Sequence, residues 1–223
     1  MPSSTRAESA LACLRSLANP ANVRGMARFG ISSQNTLGIS IPMLRTLAKE
    51  LGKDHTLAQQ LWASGIHEAR ILAAYVDDPK QVTEEQMDAW ARDFDSWDVC
   101  DQVCANLFDR TPDAYRKAAE WAKRTAEFER RAGFALMAAL AWHDKRAGDA
   151  QFEAFFPLIT TYATDERNFV KKAVNWALRQ IGKRNESLRA KALVVARRLA
   201  ASGSKAARWV GADAVRELER KKL

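Results

Sequence analysis

Glycine and proline are scarce in this chain, 10 and 6 of 223 residues, and they fall between stretches of regular hydrophobic periodicity. Breakers used this sparingly act as punctuation between segments, which excludes a linker-rich or disordered chain. No alternating run of β-branched residues reaches strand length, which argues against a sheet. Cysteine is equally sparse. Cys13, Cys100 and Cys104 are odd in number, and no CxxC pair or nearby histidine gives a zinc-ligand spacing, so no metal site is expected. Cys100 and Cys104, four apart, share a helix face and should pack as small apolar groups, as suits a reducing cytosol. No apolar run approaches the roughly 18 residues of a membrane span. The opening MPSSTRAESALACLRSLA lacks the apolar core of a secretory signal, so a cytoplasmic protein without membrane partners is expected.

Acidic residues are what the C-terminal quarter lacks. Residues 167–223 carry 16 Lys/Arg against 4 Asp/Glu, whereas residues 1–166 carry 19 against 23, so the net charge of +8 originates at one end. A basic segment on a near-neutral body reads as a polyanion-binding surface; a solvated basic face is the other reading.

What remains is helix. With 47% hydrophobic and 28% charged residues, the periodicity predicts helices near 5–18, 21–29, 42–51, 55–64, 67–77, 83–94, 97–109, 113–124, 127–143, 150–163, 167–182, 186–201 and 205–220. Pro42 and Pro112 fall at or near first helical positions, where a missing N–H costs nothing. Thr83, followed by Glu85 and Gln86, predicts an N-cap, and Ser96 a cap for the helix that begins at Trp97.

Four helices open with a basic residue ahead of a small, apolar stretch: EARILAAYV (68–76), RRAGFALMAAL (130–140), VKKAVNWALRQI (170–181) and AARWVGADAV (206–215). Aligned on Arg70, Arg131, Lys172 and Arg208, they are separated by 61, 41 and 36 residues. Paired helices repeating at about 40 residues are the HEAT and armadillo pattern. The expected fold is all-α, a curved solenoid of HEAT-like (armadillo-type) helical repeats. It is drawn as a single domain over 1–223, with an N-terminal helix in 1–20 and strongly basic repeats in 167–223. The basic openings would then converge on one groove that suits a duplex backbone.

Two clusters carry chemistry. Trp97 and Asp101 are four apart on one helix face: either an exposed indole–carboxylate pair or a core indole with a surface carboxylate one turn on. Asp98, in the first turn, reads as a partner of the helix dipole. Lys172, Trp176 and Arg179 share a face that fits a sugar and phosphate contact, or a half-buried indole under basic stems. Arg130 and Arg131 open a strongly apolar helix.

SWDVCDQV (96–103), ERRAGFALMAAL (129–140) and FVKKAVNWALRQIGK (169–183) resemble three signature helices of the AlkD-like DNA alkylation repair glycosylases. GMARFG…LGISIPMLRTLAKE (25–50) is similar to that family's opening region. The resemblance spans about residues 20–200. It implies a catalytic set of Asp101, Trp97, Arg131 and Trp176. It also implies DNA contacts by Arg45, Arg130, Lys172, Arg179 and Phe29, the last standing where the family has a tyrosine, so that a phosphate hydrogen bond is lost. The implied activity is hydrolysis of the N-glycosidic bond of cationic N3- or N7-alkylated purines in double-stranded DNA, with the lesion left stacked. No cofactor and no metal would be needed, and a monomer, nucleoid-associated when bound to DNA, is expected. The alternatives are a non-catalytic HEAT-repeat DNA-binding or scaffold protein, in which a carboxylate among cations brings no gain, and a protein–protein adaptor.

Overall fold

A computed structural model describes residues 3–220, and among these every regular element is helical. The helices gather into two compact units that divide between Thr111 and Pro112. The first unit holds α1 (Ser3–Ser16), α2 (Pro20–Ala27), α3 (Ile41–Leu51), α4 (His55–Ala63), α5 (His67–Val76), α6 (Glu84–Arg92) and α7 (Trp97–Asn106). The second holds α8 (Ala114–Trp121), α9 (Glu127–His143), α10 (Asp149–Glu153), α11 (Phe156–Tyr162), α12 (Asn168–Gly182), α13 (Glu186–Ala200) and α14 (Lys205–Arg220). Lys221 and Lys222 of the basic segment lie outside the described residues.

Two predicted helices are divided. The helix expected at 97–109 stops at Asn106, because Leu107 leaves the helical region (φ −135°, ψ −63°) and Phe108–Arg110 form one 3-10 turn. Thr111 Oγ1 closes that turn by donating to the Phe108 carbonyl at 2.7 Å. The helix expected at 150–163 is α10 and α11. Pro157 stands in the first turn of α11, where it has no N–H to return to the carbonyl four residues back, so the ladder cannot run through. Thr83 caps α6 as expected, its hydroxyl accepting from the Gln86 N–H at 3.2 Å. Pro42 lies in the first turn of α3, and Pro112 two residues ahead of α8.

In the first unit the core forms around α5, of which only Arg70 and Tyr75 are not buried, packed against α3, α4 and α7. Trp62 of α4 stacks on Trp90 of α6, with centroids 3.9 Å apart and planes within 2°, and donates its indole N–H to Asp93 at 2.8 Å. Such a pair contributes about 1 kcal/mol beyond its buried area. The segment leading into α3 is fixed by Glu68. Its fully buried carboxylate accepts from the backbone N–H groups of Leu37 (2.8 Å), Gly38 (2.6 Å) and Ile39 (3.3 Å). Gly38 has φ +78°, and a Cβ there would lie 2.3 Å from the Asn19 carbonyl, so the position needs glycine.

In the second unit α9 is buried without a break from Arg131 to Ala141 and packs against α8 and α12, as a helix apolar on all sides must. Two close helix crossings are made by glycine. Gly133 of α9 lies where a Cβ would come within 2.8 Å of the Ala118 carbonyl and 2.4 Å of the Ala122 nitrogen. Gly211 of α14 meets the Ala196 carbonyl and Ala200 nitrogen in the same way, at 2.4 and 2.3 Å. Each of the three positions in one crossing precedes its counterpart by 78 residues, about two HEAT-like repeats, so the sequence periodicity has a packing equivalent.

Candidate active site

Helix α7 is gripped at its start by neighbours distant in sequence. The Trp97 indole N–H donates to the Phe29 carbonyl at 3.1 Å, tying the first helical residue to the segment after α2. His67, which opens α5, places Nε2 2.8 Å from Asp98 Oδ2. Ser96 holds the N-cap position but does not cap through its side chain; its hydroxyl donates instead to the other Asp98 oxygen at 2.8 Å. On the next turn, Tyr75 donates to Gln102 Oε1 at 2.5 Å, and the Arg45 guanidinium sits 5.8 Å from the Tyr75 ring centre.

The His67–Asp98 pair lies in a largely dry place, with the side chains 4% and 15% exposed. Burial works against charge on the imidazole, but the hydrogen bond and charge of Asp98, with Glu68 and Asp95 nearby, raise its pKa above the ordinary value. Burial likewise pushes the Asp98 carboxyl up, and the His67 and Ser96 hydrogen bonds more than offset it, holding the group below the usual range. Asp98 is therefore half of an interhelical ion pair, in addition to its first-turn position.

Asp101 stands one turn beyond Trp97 on α7, and both are half-buried. A carboxylate held partly out of water beside an indole can stabilise positive charge or orient a water molecule. Cys100 and Cys104 are buried within α7, and burial pushes the Cys104 thiol well up, reinforced by Cys100 and by the charges of Asp101 and Asp109.

The other expected residues are placed as follows. Arg45 and Lys172 are exposed. Phe29 is 71% exposed, and its backbone carbonyl accepts the Trp97 indole N–H. Trp176 is half-buried on α12. Arg131 departs from expectation: it is 5% exposed, and Nη1 donates to the Phe169 carbonyl of α12 at 2.6 Å. Arg130 pairs with Asp165 at 2.7 Å and covers the Tyr162 ring at 4.5 Å, while Arg179 pairs with Glu217 of α14. Arg130 and Arg167 together hold the Asp165 carboxyl down, to about 2, against the effect of its burial.

The basic helix openings thus serve largely as staples within their own units. Arg70 donates to the Asp93 carbonyl (3.0 Å) and Arg208 to the Ser202 and Gly203 carbonyls (3.1 and 2.7 Å). The Asp93, Ser202 and Gly203 carbonyls lie at or just past helix C-termini, where carbonyls have no intrahelical partner and a nearby guanidinium can satisfy them.

The family described as DNA alkylation repair enzyme matches residues 10–218. The chain belongs to that family. Among solved structures, one described as a new family of proteins related to the HEAT-like repeat DNA glycosylases with affinity for branched DNA structures matches with a TM-score of 0.78. It is 18% identical and the match covers 96% of this chain and 94% of that one, a likeness of fold. No curated protein matches the sequence. For this member of the DNA alkylation repair enzyme family, the helical repeat fold is therefore shown, and DNA is the polymer on which the family acts. Among the described residues no helix is long and apolar enough to cross a membrane.

Sequence reasoning missed His67 and Glu68. The signal was a polar dipeptide opening the otherwise apolar stretch ARILAAYV. Nothing local announces that its partners lie about 30 residues away on each side.

Proposed function

We propose that this protein is a DNA N-glycosylase that hydrolyses the N-glycosidic bond of cationic N3- or N7-alkylated purines in duplex DNA. Membership of the DNA alkylation repair enzyme family supports the reading. The observation that carries it further is Asp101, half-buried one turn from Trp97, on a helix whose start is fixed by two separate elements.

Alkylation makes the purine a cation and so a good leaving group. As the bond from the base nitrogen to C1′ breaks, the bonding pair goes to the base, which leaves neutral, and the sugar takes on oxocarbenium character. The positive charge thus moves onto the sugar ring. Asp101 stabilises that charge and orients the water whose oxygen bonds to C1′; the proton this water loses passes to the carboxylate and on to solvent. At 4 Å and an effective dielectric near 20, one charge contributes about 4 kcal/mol, on the order of 10³-fold in rate. The Trp97 face turns an electron-rich surface towards the same charge. Arg45 and Lys172, both exposed, are phosphate contacts, and Trp176 is a strand contact on the second unit. Arg131 acts by positioning α12 through the Phe169 carbonyl, and Arg130 and Arg179 act through their ion pairs.

The second reading is a non-catalytic binder of branched DNA. One observation favours it: the structural neighbour is described as having affinity for such DNA. The two separate on Asp101→Asn. With methylated duplex DNA, the wild type releases 7-methylguanine and 3-methyladenine, while the variant binds the duplex equally well and releases about 10³-fold less. Base release unchanged in the variant removes Asp101 from its role, and no release by the wild type leaves the binder.

A further inference from the structure

In the second unit α12 and α14 lie side by side in the same direction, joined by rungs that each span 38 residues. Lys171 meets Trp209, the Asn175 amide donates to Asp213 at 3.0 Å, and Arg179 pairs with Glu217. Lys183 also pairs with Glu217, and Arg216 with Asp213. Towards the C-terminal ends of the two helices, the cations of this ladder are therefore matched by carboxylates. At the N-terminal ends they are not. Among the described residues Lys171, Lys172 and Lys205 form no ion pair, and Arg208 bonds to the Ser202 and Gly203 carbonyls, which leaves its charge uncompensated. Trp209 stands among these four cations. It follows Arg208 directly, lies one turn beyond Lys205, and has the Lys171 ammonium 5.0 Å from its ring centre. The residue is 42% exposed, and α14 packs on α12 and α13 without it, through Ala206, Ala207, Val210, Gly211, Ala214 and Leu218.

We propose that Trp209, with Lys171, Lys172, Lys205 and Arg208, forms a docking surface for an unpaired segment of DNA, one base stacked on the indole and the flanking phosphates on the cations. Phosphates alone would need only the cations. An indole face set among them suits a nucleobase, whose π surface stacks on it while the adjoining backbone meets the positive charge. Within an intact duplex both faces of a base are taken by its neighbours, so only an unpaired nucleotide has such a surface to give. The Lys171 ammonium is held over the ring weakly, as at any exposed site, and moves to a phosphate as the base arrives. Asp213, one turn beyond Trp209, marks the limit of the surface, because phosphates past it meet carboxylates. The proposal rests on DNA as the polymer bound and is independent of whether Asp101 promotes excision.

The test compares two probes on the full-length protein by fluorescence anisotropy at fixed salt: a blunt duplex, and the same duplex carrying a single-stranded oligothymidylate arm. The wild type binds the armed duplex about tenfold more tightly than the blunt one, the worth of one stacked base. Trp209→Leu keeps the apolar bulk but has no π face; it loses that preference, leaves the blunt duplex bound as before and does not lower Tm. Trp209→Phe, which restores a π face, retains most of the preference, so stacking is separated from packing even if the leucine variant is less stable. Lys205→Ala weakens both probes alike and makes the salt slope shallower by about one. Equal binding of the two probes by the wild type, or a preference that survives in Trp209→Leu, overturns the surface while leaving DNA as the partner. Failure to bind either probe overturns the DNA reading and the surface with it. An oligoglutamate peptide that competes as well as oligothymidylate of equal charge overturns the surface in favour of an acidic protein partner.

Discussion

Phe29 is 71% exposed, while its carbonyl receives the Trp97 indole N–H, so backbone and side chain at this position do different work. A hydroxyl on that ring adds a donor at the protein surface without touching the Trp97 bond. Phe29→Tyr is therefore expected to tighten binding to duplex DNA by about three- to tenfold, the worth of one added hydrogen bond, measured by fluorescence anisotropy at fixed salt. An unchanged Kd places the ring away from the backbone. At this scale the sequence was partly legible. Trp97 and Asp101 could be paired because helical spacing alone puts them on one face. Arg131 could not be placed, because whether a helix-opening arginine points to water or to a neighbouring carbonyl depends on where α12 lies, and no local pattern encodes that.

Among the elements, α5 and α7 are joined by one buried ion pair, and its titration gives a sign. The imidazole of His67 is raised above 6.5 in the folded state, so its contribution is fully present below pH 6.5 and is lost as pH rises through the raised value. The carboxyl of Asp98 is lowered below 3.8, so its contribution is present above pH 3.8 and is lost as pH falls through the lowered value. His67→Ala should cost about 3 kcal/mol in the window between those limits, by leaving Asp98 without its cation, and progressively less in alkaline solution. Thermal unfolding followed from pH 5 to pH 9 checks this, and a Tm difference independent of pH would deny the pair its charge. The glycine crossings make a second, independent claim. Gly211→Ala gains about 1 kcal/mol of helix propensity but drives a methyl group into the α13 backbone, for a net loss of about 2 kcal/mol. A Tm lower by roughly 4–8 °C is expected, and an unchanged Tm would mean that the helices part freely. Helix existence and order were legible from periodicity. The break at Pro157 also had a visible cue in proline itself, whereas the end of α7 at Leu107 is set by tertiary packing of Phe108 and Thr111 and has none.

For the whole molecule, charge was the clearest reading of all and also the one most changed by folding. Of the basic residues in the second unit, Arg179 and Lys183 are tied to Glu217, Arg197 to Glu219 and Arg216 to Asp213. Lys172, Arg198 and Lys205 remain on the surface, and Lys171 covers the exposed ring of Trp209 at 5.0 Å. Fewer phosphates should therefore be neutralised than a count of lysines and arginines suggests. Duplex affinity is expected to fall with salt at a log–log slope of about −4, equivalent to roughly four to five phosphate contacts. A titration from low to moderate salt checks this, and a slope near zero would remove the polyanion from the account. The division at Thr111 and Pro112 carried no sequence cue, because the boundary has no linker composition; it is defined by which helices share a core.

The cysteines bear on survival under chemical stress. A repair protein of this family meets the same electrophiles that damage DNA, and these attack sulfur as thiolate. Cys104, buried within α7 and held protonated, offers them neither access nor a nucleophile, and Cys100 is equally enclosed. Cys13, exposed on α1, is the sulfur that a methylating agent would reach first. Self-inflicted alkylation would thus mark the periphery of the protein and spare the helix that carries Trp97 and Asp101.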